Sequence, residues 1–220
     1  LRSGSYDTPV GELIKGIFGL SEDRKINLVV QNNRLPRICT AILAGGGLGL
    51  AGCILQAVLR NPLASASTLG VSQGATFGAA FAIVVLGFGS TSGFGIPLCA
   101  FLGSIAVALV ILGLSKFRQV SPEGIVLAGV AIGALWTAAT TVLQFYATDV
   151  GLSAAVIWNF GDLGRATYRT DAIMAAVVLV GFVFFMLMSW KYNALLSGEA
   201  TAKTMGIRVE ALRFVSLLLA

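Results

Sequence analysis

The sequence contains no histidine, and only 11% of its 220 residues are charged. Histidine is the commonest metal ligand and the commonest general base in proteins, so its absence argues against a zinc site, a haem ligand or a histidine-based catalytic triad. The three cysteines, Cys39, Cys53 and Cys99, are far apart in apolar surroundings and lack CxxC spacing. We therefore interpret them as small buried hydrophobic residues, and we predict no resident metal and no cofactor.

The sequence also lacks the GxxxxGK[ST] pattern of a phosphate-binding loop, so any ATP that the protein uses must bind to another chain. The segment from Gly47 to Gly52 matches GxGxxG, but it lies inside an apolar run without a preceding strand, which argues against a dinucleotide site. The net charge is +5, yet no dense basic run is present, so we expect no nucleic-acid partner.

Apolar residues dominate what remains. Hydrophobic residues make up 56% of the chain and the mean hydropathy is +0.88, whereas soluble domains carry about 25% charged residues. A helix rises about 1.5 Å per residue, so runs of about 20 apolar residues can cross a hydrocarbon layer of about 30 Å. The sequence therefore predicts an all-α, polytopic transmembrane helical bundle. Its five spans are predicted at residues 38–59, 68–88, 96–115, 125–147 and 171–190.

Two further segments carry weaker patterns. Residues 1–33 contain apolar positions at helical spacing, which is equally compatible with a short amphipathic helix and with a connecting loop. Residues 152–160 are mixed and aromatic, and we predict a surface or half-embedded helix there.

Small residues recur every four positions in three of the predicted spans. This spacing places them on one face of a helix, where another backbone can approach closely. We predict helix packing at Gly45, Gly49, Gly70, Gly74, Gly78, Gly129 and Gly133.

The fourth predicted span carries a polar stripe of Thr137, Thr141 and Gln144 at helical spacing. Polar side chains in a bilayer must face protein or water, so the stripe either lines a polar path or bonds its own backbone carbonyls. Gln56 and the pair Ser72-Gln73 raise the same question, and packing is the preferred interpretation for them. We expect no acid or base inside a span, so the sequence does not support a proton relay.

Several motifs occur in a fixed order along nearly the whole chain: Arg34-Leu-Pro-Arg37, Gln56, Arg60-Asn-Pro-Leu-Ala64, Leu69-Gly-Val-Ser-Gln-Gly74, Leu127-Ala-Gly-Val-Ala131 and the segment Leu196–Gly206. This series resembles the FecCD-type permease family of iron-siderophore, haem and cobalamin ABC importers. The resemblance implies a multi-pass subunit in the cytoplasmic (inner) membrane of a bacterium. It also implies transport of an iron-siderophore, haem or cobalamin without covalent chemistry by this chain.

The family pattern implies partners as well. It predicts a homodimer, or a pair with a close paralogue, embedded in membrane lipid and working with an ATP-binding cassette ATPase dimer and an extracytoplasmic substrate-binding protein. An ion-gradient-driven secondary transporter or channel is the alternative. That class would predict an intramembrane charge or broken helices at matching places in two halves, and neither is evident.

By the same resemblance, the chain corresponds to the region from the end of helix one to the start of helix seven of a ten-helix subunit. Residues 1–37 are expected outside and residues 191–213 in the cytoplasm, and residues 214–220 begin a further span. We expect one more span before Leu1 and about four that include the one begun at Val215.

The resemblance assigns roles to residues. Docking of the binding protein is expected at Arg34 and Arg37, since arginine pairs well with carboxylates, although contact with lipid phosphate is the alternative. The translocation path is expected along Thr137, Thr141 and Gln144. Coupling to the ATPase is expected at Ser197, Gly198, Glu199, Ala200, Lys203 and Gly206.

The coupling residues also predict a local structure from their chemistry alone. Ser197 can cap a short helix, and Glu199 would lie near its positive end. Lys203 lies four residues after Glu199, and Gly206 suits the left-handed residue beyond the end of a helix. The sequence thus predicts a short, rigid, capped helix; an ordinary solvated loop is the alternative.

Overall fold

The computed structural model describes residues 9–89, 94–118 and 121–220, which form helices and turns without a strand among them. The first eight residues of the predicted segment 1–37 lie outside these ranges. The helices are α1 (Val10–Ile17), α2 (Arg24–Val29), α3 (Leu35–Leu59), α4 (Val71–Val84), α5 (Gly95–Arg118), α6 (Pro122–Phe145), α7 (Asp149–Phe160), α8 (Tyr168–Leu187), α9 (Ser189–Leu196), α10 (Glu199–Thr204) and α11 (Val209–Leu219).

Four helical stretches are long and apolar enough to cross a membrane. They are Arg24–Leu59, Gly95–Leu114, Pro122–Phe145 and Tyr168–Leu187. The segment 1–33 left two interpretations open, and its described part contains the helices α1 and α2.

The second predicted span differs from its helix. The sequence predicts residues 68–88, whereas α4 covers only Val71–Val84. Gly70 has φ 78° and Gly87 has φ 68°, and such left-handed residues cannot continue a right-handed helix. The 14 residues of α4 span about 21 Å, which is less than the thickness of a hydrocarbon layer.

A π-helical turn, Val30–Arg34, joins α2 to α3 without interrupting the helix. The cause is Pro36, whose nitrogen carries no hydrogen and cannot bond the carbonyl four residues earlier. The helix widens at this point, and the N–H of Leu35 donates to the carbonyl of Val30, five residues back.

The chain divides into two compact units. The first contains the described residues up to Gly49 together with Asp162–Val183, and the second contains Leu50–Gly161 and Phe184–Ala220. In the first unit, α1 packs against α2 and the π-helical turn, and Leu13, Ile26 and Val30 from these three elements are buried.

The core of the second unit consists of three apolar clusters. One joins α3 to the α9–α11 region and includes Val58, Leu195 and Val209. Another joins α3, α5 and α6 and includes Leu59 and Val107. A third joins α4, α5 and α7. These clusters fix the positions of α10 and of the polar face shared by α4 and α6.

Glycines allow α4 and α5 to pack backbone against backbone. A Cβ atom on Gly74 would lie 2.7 Å from the carbonyl oxygen of Gly103. A Cβ atom on Gly78 would overlap the carbonyl oxygen of Cys99 and lie 2.8 Å from its carbonyl carbon. Both positions therefore exclude any side chain unless the helices separate.

A second close approach joins the turn before α4 to α6. A Cβ atom on Gly70 would lie 2.9 Å from the carbonyl oxygen of Gly129, and one on Gly133 would lie 3.2 Å from the Cα atom of Gly70. At Gly45 and Gly49 a Cβ atom would meet nothing within 4 Å among the described residues, so helix packing at these two positions stays a prediction.

Within the first unit, the glycine of α3 that lies close to α8 is Gly47. A Cβ atom on Gly47 would lie 3.1 Å from a methyl group of Val178 on α8.

The predicted burial of the cysteines also needs correction. Cys53 is exposed in the described structure, because it lies on the face of α3 opposite to its buried residues, and Cys39 and Cys99 are half-buried.

Candidate functional site

The start of α10 differs from the predicted cap. Gly198 occupies the N-cap position with φ 132°, and no side chain caps α10. The hydroxyl of Ser197 instead donates to the carbonyl of Asn193 at 3.2 Å, in the preceding helix. The predicted Ser197 cap is therefore wrong, since the unusual backbone of Gly198 turns Ser197 away from the free N–H groups of α10. Glu199 lies in the first turn, where its charge complements the helix dipole.

The end of α10 has a fixed geometry. Gly206 has φ 78°, and its N–H donates to the carbonyl of Lys203 at 3.0 Å. The N–H of Ile207 donates to the carbonyl of Ala202, also at 3.0 Å. This pair of bonds defines a Schellman cap, and the buried side chains of Ala202 and Ile207 supply its apolar contact.

Glu199 connects α10 to two other helices. Its Oε1 atom lies 3.1 Å from Nζ of Lys203, and its Oε2 atom lies 2.9 Å from Nη2 of Arg213 on α11. The side chain of Arg213 is only 14% exposed, and its Nε atom donates to the carbonyl of Val58 on α3 at 3.5 Å. The hydrogen bonds from Lys203 and Arg213 lower the pKa of Glu199, against the opposing effect of burial.

The outward face of this segment is partly apolar. Ala200 and Lys203 are exposed on α10, and Leu196 and Met205 flank the helix with 53% and 56% of their surface exposed. A rigid helix with apolar residues at both ends suits a surface that another protein covers.

Arg34 and Arg37 lie one turn apart on the continuous helix Arg24–Leu59. Arg34 closes the π-helical turn and is half-buried, and Arg37 is exposed. Arg37 lies over the turn that follows Asp162, because a Cβ atom on Gly164 would be 3.0 Å from its Nη2 atom. The two arginines thus lie next to each other beside the start of α3.

A buried carboxyl group lies in the same unit, at the start of α8. Asp171 is only 5% exposed, and one of its oxygens accepts a hydrogen bond from the hydroxyl of Thr40 on α3. Its Oδ2 atom has no hydrogen-bond partner among the described residues. The hydroxyl of Tyr168, one turn earlier on α8, donates to the carbonyl of Gln31. Sequence reasoning missed Asp171 because it stands at the first position of the predicted span 171–190.

A cavity of about 300 Å³ lies among α4, α6 and α7 in the second unit. All of its lining side chains are uncharged hydroxyls or amides. They are Ser72, Gln73, Thr76, Thr137, Thr140, Thr141, Gln144 and Asn159. The structure therefore brings the three predicted path residues together with five residues outside the stripe, four of which lie on other helices. The pair Ser72-Gln73, for which packing was the preferred interpretation, is among these five.

The threonines of the stripe bond their own helix and also line the cavity. The hydroxyl of Thr137 donates to the carbonyl of Gly133 at 2.9 Å, and that of Thr141 donates to the carbonyl of Thr137 at 3.1 Å. These bonds satisfy the hydrogen of each hydroxyl, while its lone pairs face the cavity. Gln56, by contrast, has a packing contact, since its Nε2 atom donates to the carbonyl of Pro62 at 2.8 Å.

Comparison with known proteins gives a family. The model of the FecCD transport family matches residues 1–220. The chain belongs to the FecCD transport family. It is a multi-pass, all-α membrane protein of the fold that the cobalamin and iron-siderophore ABC permeases share.

Individual relatives of this FecCD chain are permeases. MJ0087 of Methanocaldococcus jannaschii, named as an ABC transporter permease protein, is 45% identical over 99% of this chain and 64% of its own length. The Fe(3+)-citrate import system permease protein YfmE of Bacillus subtilis is 33% identical over 92% of this chain and 60% of its own length. The vitamin B12 import system permease protein BtuC of Escherichia coli is 32% identical over 94% of this chain and 58% of its own length.

A solved structure has the same fold. It is an ABC transporter described as of the metal-chelate type, in an inward-facing conformation, and it is 27% identical with a TM-score of 0.84. The match covers 100% of this chain and 66% of that chain. The FecCD chain spans about three fifths of the length of the curated relatives that it matches.

Proposed function

We propose that this chain is part of the membrane-spanning permease subunit of an ATP-driven importer that moves a metal chelate or corrinoid across the cytoplasmic membrane. Family membership supports this proposal, and two of the relatives are named for the import of Fe(3+)-citrate and of vitamin B12. An iron-siderophore is our first choice of cargo within this class. The chain itself would perform no covalent chemistry, and a separate ATPase would hydrolyse ATP.

The observation that carries the proposal is the construction of the segment 197–206. Transmission of force between proteins needs a rigid contact, and α10 is fixed by a Schellman cap at its end and by Glu199 at its start. Through Arg213, the segment is joined to the end of α3 and to α11. Movement of α10 by an ATPase dimer would therefore move these helices, with Ser197, Gly198, Ala200 and Lys203 at or near the contact.

The remaining roles follow from position. Arg34 and Arg37 would receive acidic residues of a substrate-binding protein, since the two arginines lie one turn apart beside the start of α3. The cavity that contains Thr137, Thr141 and Gln144 would form part of the translocation path. A second permease subunit, identical or paralogous, would complete that path.

Retention of the ATPase tests the coupling role. In the full-length protein extracted with detergent, Met205→Glu places a charge on the apolar face beside α10 and should release the ATPase at least tenfold more readily. The matched control is Phe160→Glu on α7, where the side chain is 84% exposed and lies far along the chain from α10. Equal retention by both variants would contradict the assigned contact.

The alternative of an ion-gradient-driven transporter has one observation in its favour. Asp171 is a buried acid within the helix Tyr168–Leu187, and such groups are often functional in membranes. Uptake into vesicles separates the two functions. Transport that requires ATP and its ATPase and survives dissipation of ion gradients supports the importer, whereas transport that continues without any ATPase would replace it with the alternative.

A further inference from the structure

We propose that the cavity among α4, α6 and α7 binds a neutral or cationic polar face of the cargo and disfavours anionic chelates. This inference rests on the proposed import function for the identity of the ligand as cargo. Its basis is the chemistry of the lining, which the family assignment does not specify.

The cavity has the size and polarity of a binding site but no charge. Sites for small ligands range from about 300 to 1,000 Å³, so a cavity of about 300 Å³ accommodates one part of a bulky chelate. Each of its eight lining side chains ends in a hydroxyl or an amide. Within the described residues, no lysine, arginine or carboxylate reaches the lining.

The threonines present acceptors to a ligand. The hydroxyl of Thr140 donates to the carbonyl of Trp136 at 2.8 Å, in the same way that Thr137 and Thr141 bond their own helix. On α4, the single hydroxyl hydrogen of Thr76 has two acceptors within reach, the carbonyl of Ser72 at 3.1 Å and Oδ1 of Asn159 at 3.3 Å. A hydroxyl whose hydrogen is already bonded offers only lone pairs, so this wall accepts hydrogen bonds from N–H and O–H groups.

An anion would find no counter-charge in the described lining of this cavity. Transfer of a charged group out of water costs several kcal/mol unless a counter-charge or enough donors replace its hydration. Here the remaining donors are the amides of Gln73, Gln144 and Asn159 and the hydroxyl of Ser72. A neutral complex with peripheral amides, or one that carries an ammonium group, matches the acceptor-rich wall instead.

Charge-selective labelling of introduced cysteines tests the cavity without knowledge of the cargo. The full-length permease, with all of its cysteines, including Cys39, Cys53 and Cys99, replaced by alanine, is held in a non-ionic detergent so that no membrane potential acts. Gln144→Cys and, separately, Thr141→Cys are labelled with two methanethiosulfonate reagents of similar size, one with a trimethylammonium group and one with a sulfonate.

The control lies on α7 outside the cavity. Ser153 is exposed and does not line the cavity, so Ser153→Cys gives the intrinsic ratio of the two labelling rates. We expect the cation-to-anion ratio at Gln144→Cys and at Thr141→Cys to exceed that control ratio about tenfold. Addition of Asn159→Lys should remove this preference, because it places a positive charge in the lining.

The outcomes separate the two proposals. Equal ratios at the cavity positions and at the control, or faster labelling by the sulfonate, would overturn the inference even if ATP-dependent uptake is observed. If the labelling preference is found but uptake proves independent of an ATPase, the proposed import function is wrong. The charge preference of the cavity is then supported, but its ligand is no longer identified as the cargo of an ATP-driven importer. A preference that Asn159→Lys abolishes, together with ATP-dependent uptake, supports both.

Discussion

Replacement of Gly78 by alanine is the sharpest structural test of the close contact between α4 and α5. The new methyl group would overlap the carbonyl oxygen of Cys99 and lie 2.8 Å from its carbonyl carbon and 3.1 Å from the Cα atom of Ala100. All three obstacles are backbone atoms, which cannot rotate away as a side chain would. Carbon atoms in contact are normally about 3.5–4.0 Å apart, so the helices would have to separate by about 1 Å.

The expected cost combines two opposing effects. Overpacking typically destabilises a protein by about 1–3 kcal/mol, and the upper end applies where backbone must move. Alanine is a better helix former than glycine by about 1 kcal/mol, which offsets part of the loss. We therefore expect Gly78→Ala to lower the free energy of unfolding by about 2 kcal/mol.

A control in the same pair of helices isolates the packing effect. Gly113 lies on α5, and a Cβ atom there would meet nothing within 4 Å among the described residues. Gly113→Ala should thus be neutral or stabilising by up to about 1 kcal/mol. The assay is reversible unfolding of the full-length protein by titration of a denaturing detergent, followed by far-ultraviolet circular dichroism.

A double variant shows whether one contact is responsible. A Cβ atom on Gly103 would lie 3.0 Å from the carbonyl carbon of Gly74, in the same α4–α5 contact. Once Gly78→Ala has separated the helices, Gly103→Ala should cost less than it does alone, so the two effects should be less than additive. Full additivity, or a Gly78→Ala variant as stable as Gly113→Ala, would refute the reasoning.

Two further predictions concern polar contacts. Glu199→Gln removes the negative charge that pairs with Arg213, so the free energy of local opening of α10, measured by hydrogen exchange, should fall by about 1–2 kcal/mol. The control is Glu210→Gln, which removes an exposed carboxylate on α11 and should leave the exchange of α10 unchanged. Because the pKa of Glu199 is lowered in the folded chain, its contribution is complete above the ordinary value of 4.5 and is lost as the pH falls below it, so wild-type exchange in α10 should approach that of the variant in acid. Thr40→Val deprives the buried carboxyl of Asp171 of its hydrogen-bond donor and should cost about 1–3 kcal/mol in unfolding; a neutral result would show that the bond does not matter.

The long helices could be predicted from the sequence because a hydrocarbon layer imposes a length on them. The helices α3, α5, α6 and α8 follow apolar runs of spanning length, and composition alone marks such runs. The extent of α4 could not be predicted, since its ends depend on the left-handed backbone of Gly70 and Gly87. Hydropathy does not record backbone conformation.

The segment around α10 was predictable in its chemistry but not in its start. Local rules place Glu199 in the first turn, Lys203 one turn later and Gly206 beyond the end, and the structure has each of them there. The connection to Arg213 was not predictable, because 14 residues separate the two side chains and only tertiary packing brings them together. That same connection distinguishes a rigid segment from a solvated loop.

The sequence pattern of a single helix could predict only one wall of the cavity. The stripe of Thr137, Thr141 and Gln144 was visible as a period along α6, yet its opposite wall belongs to α4 and α7, whose faces meet it only in the folded chain. The hydroxyl oxygen of Thr76 lies 3.3 Å from Oδ1 of Asn159, although 83 positions of sequence separate the two residues. Bonding to the helix's own backbone is compatible with lining a cavity, because a hydroxyl has one hydrogen and two lone pairs. A threonine can therefore satisfy its own helix and still present an acceptor to a ligand, and that double use gives the cavity its preference for donors without any charged residue in the described lining.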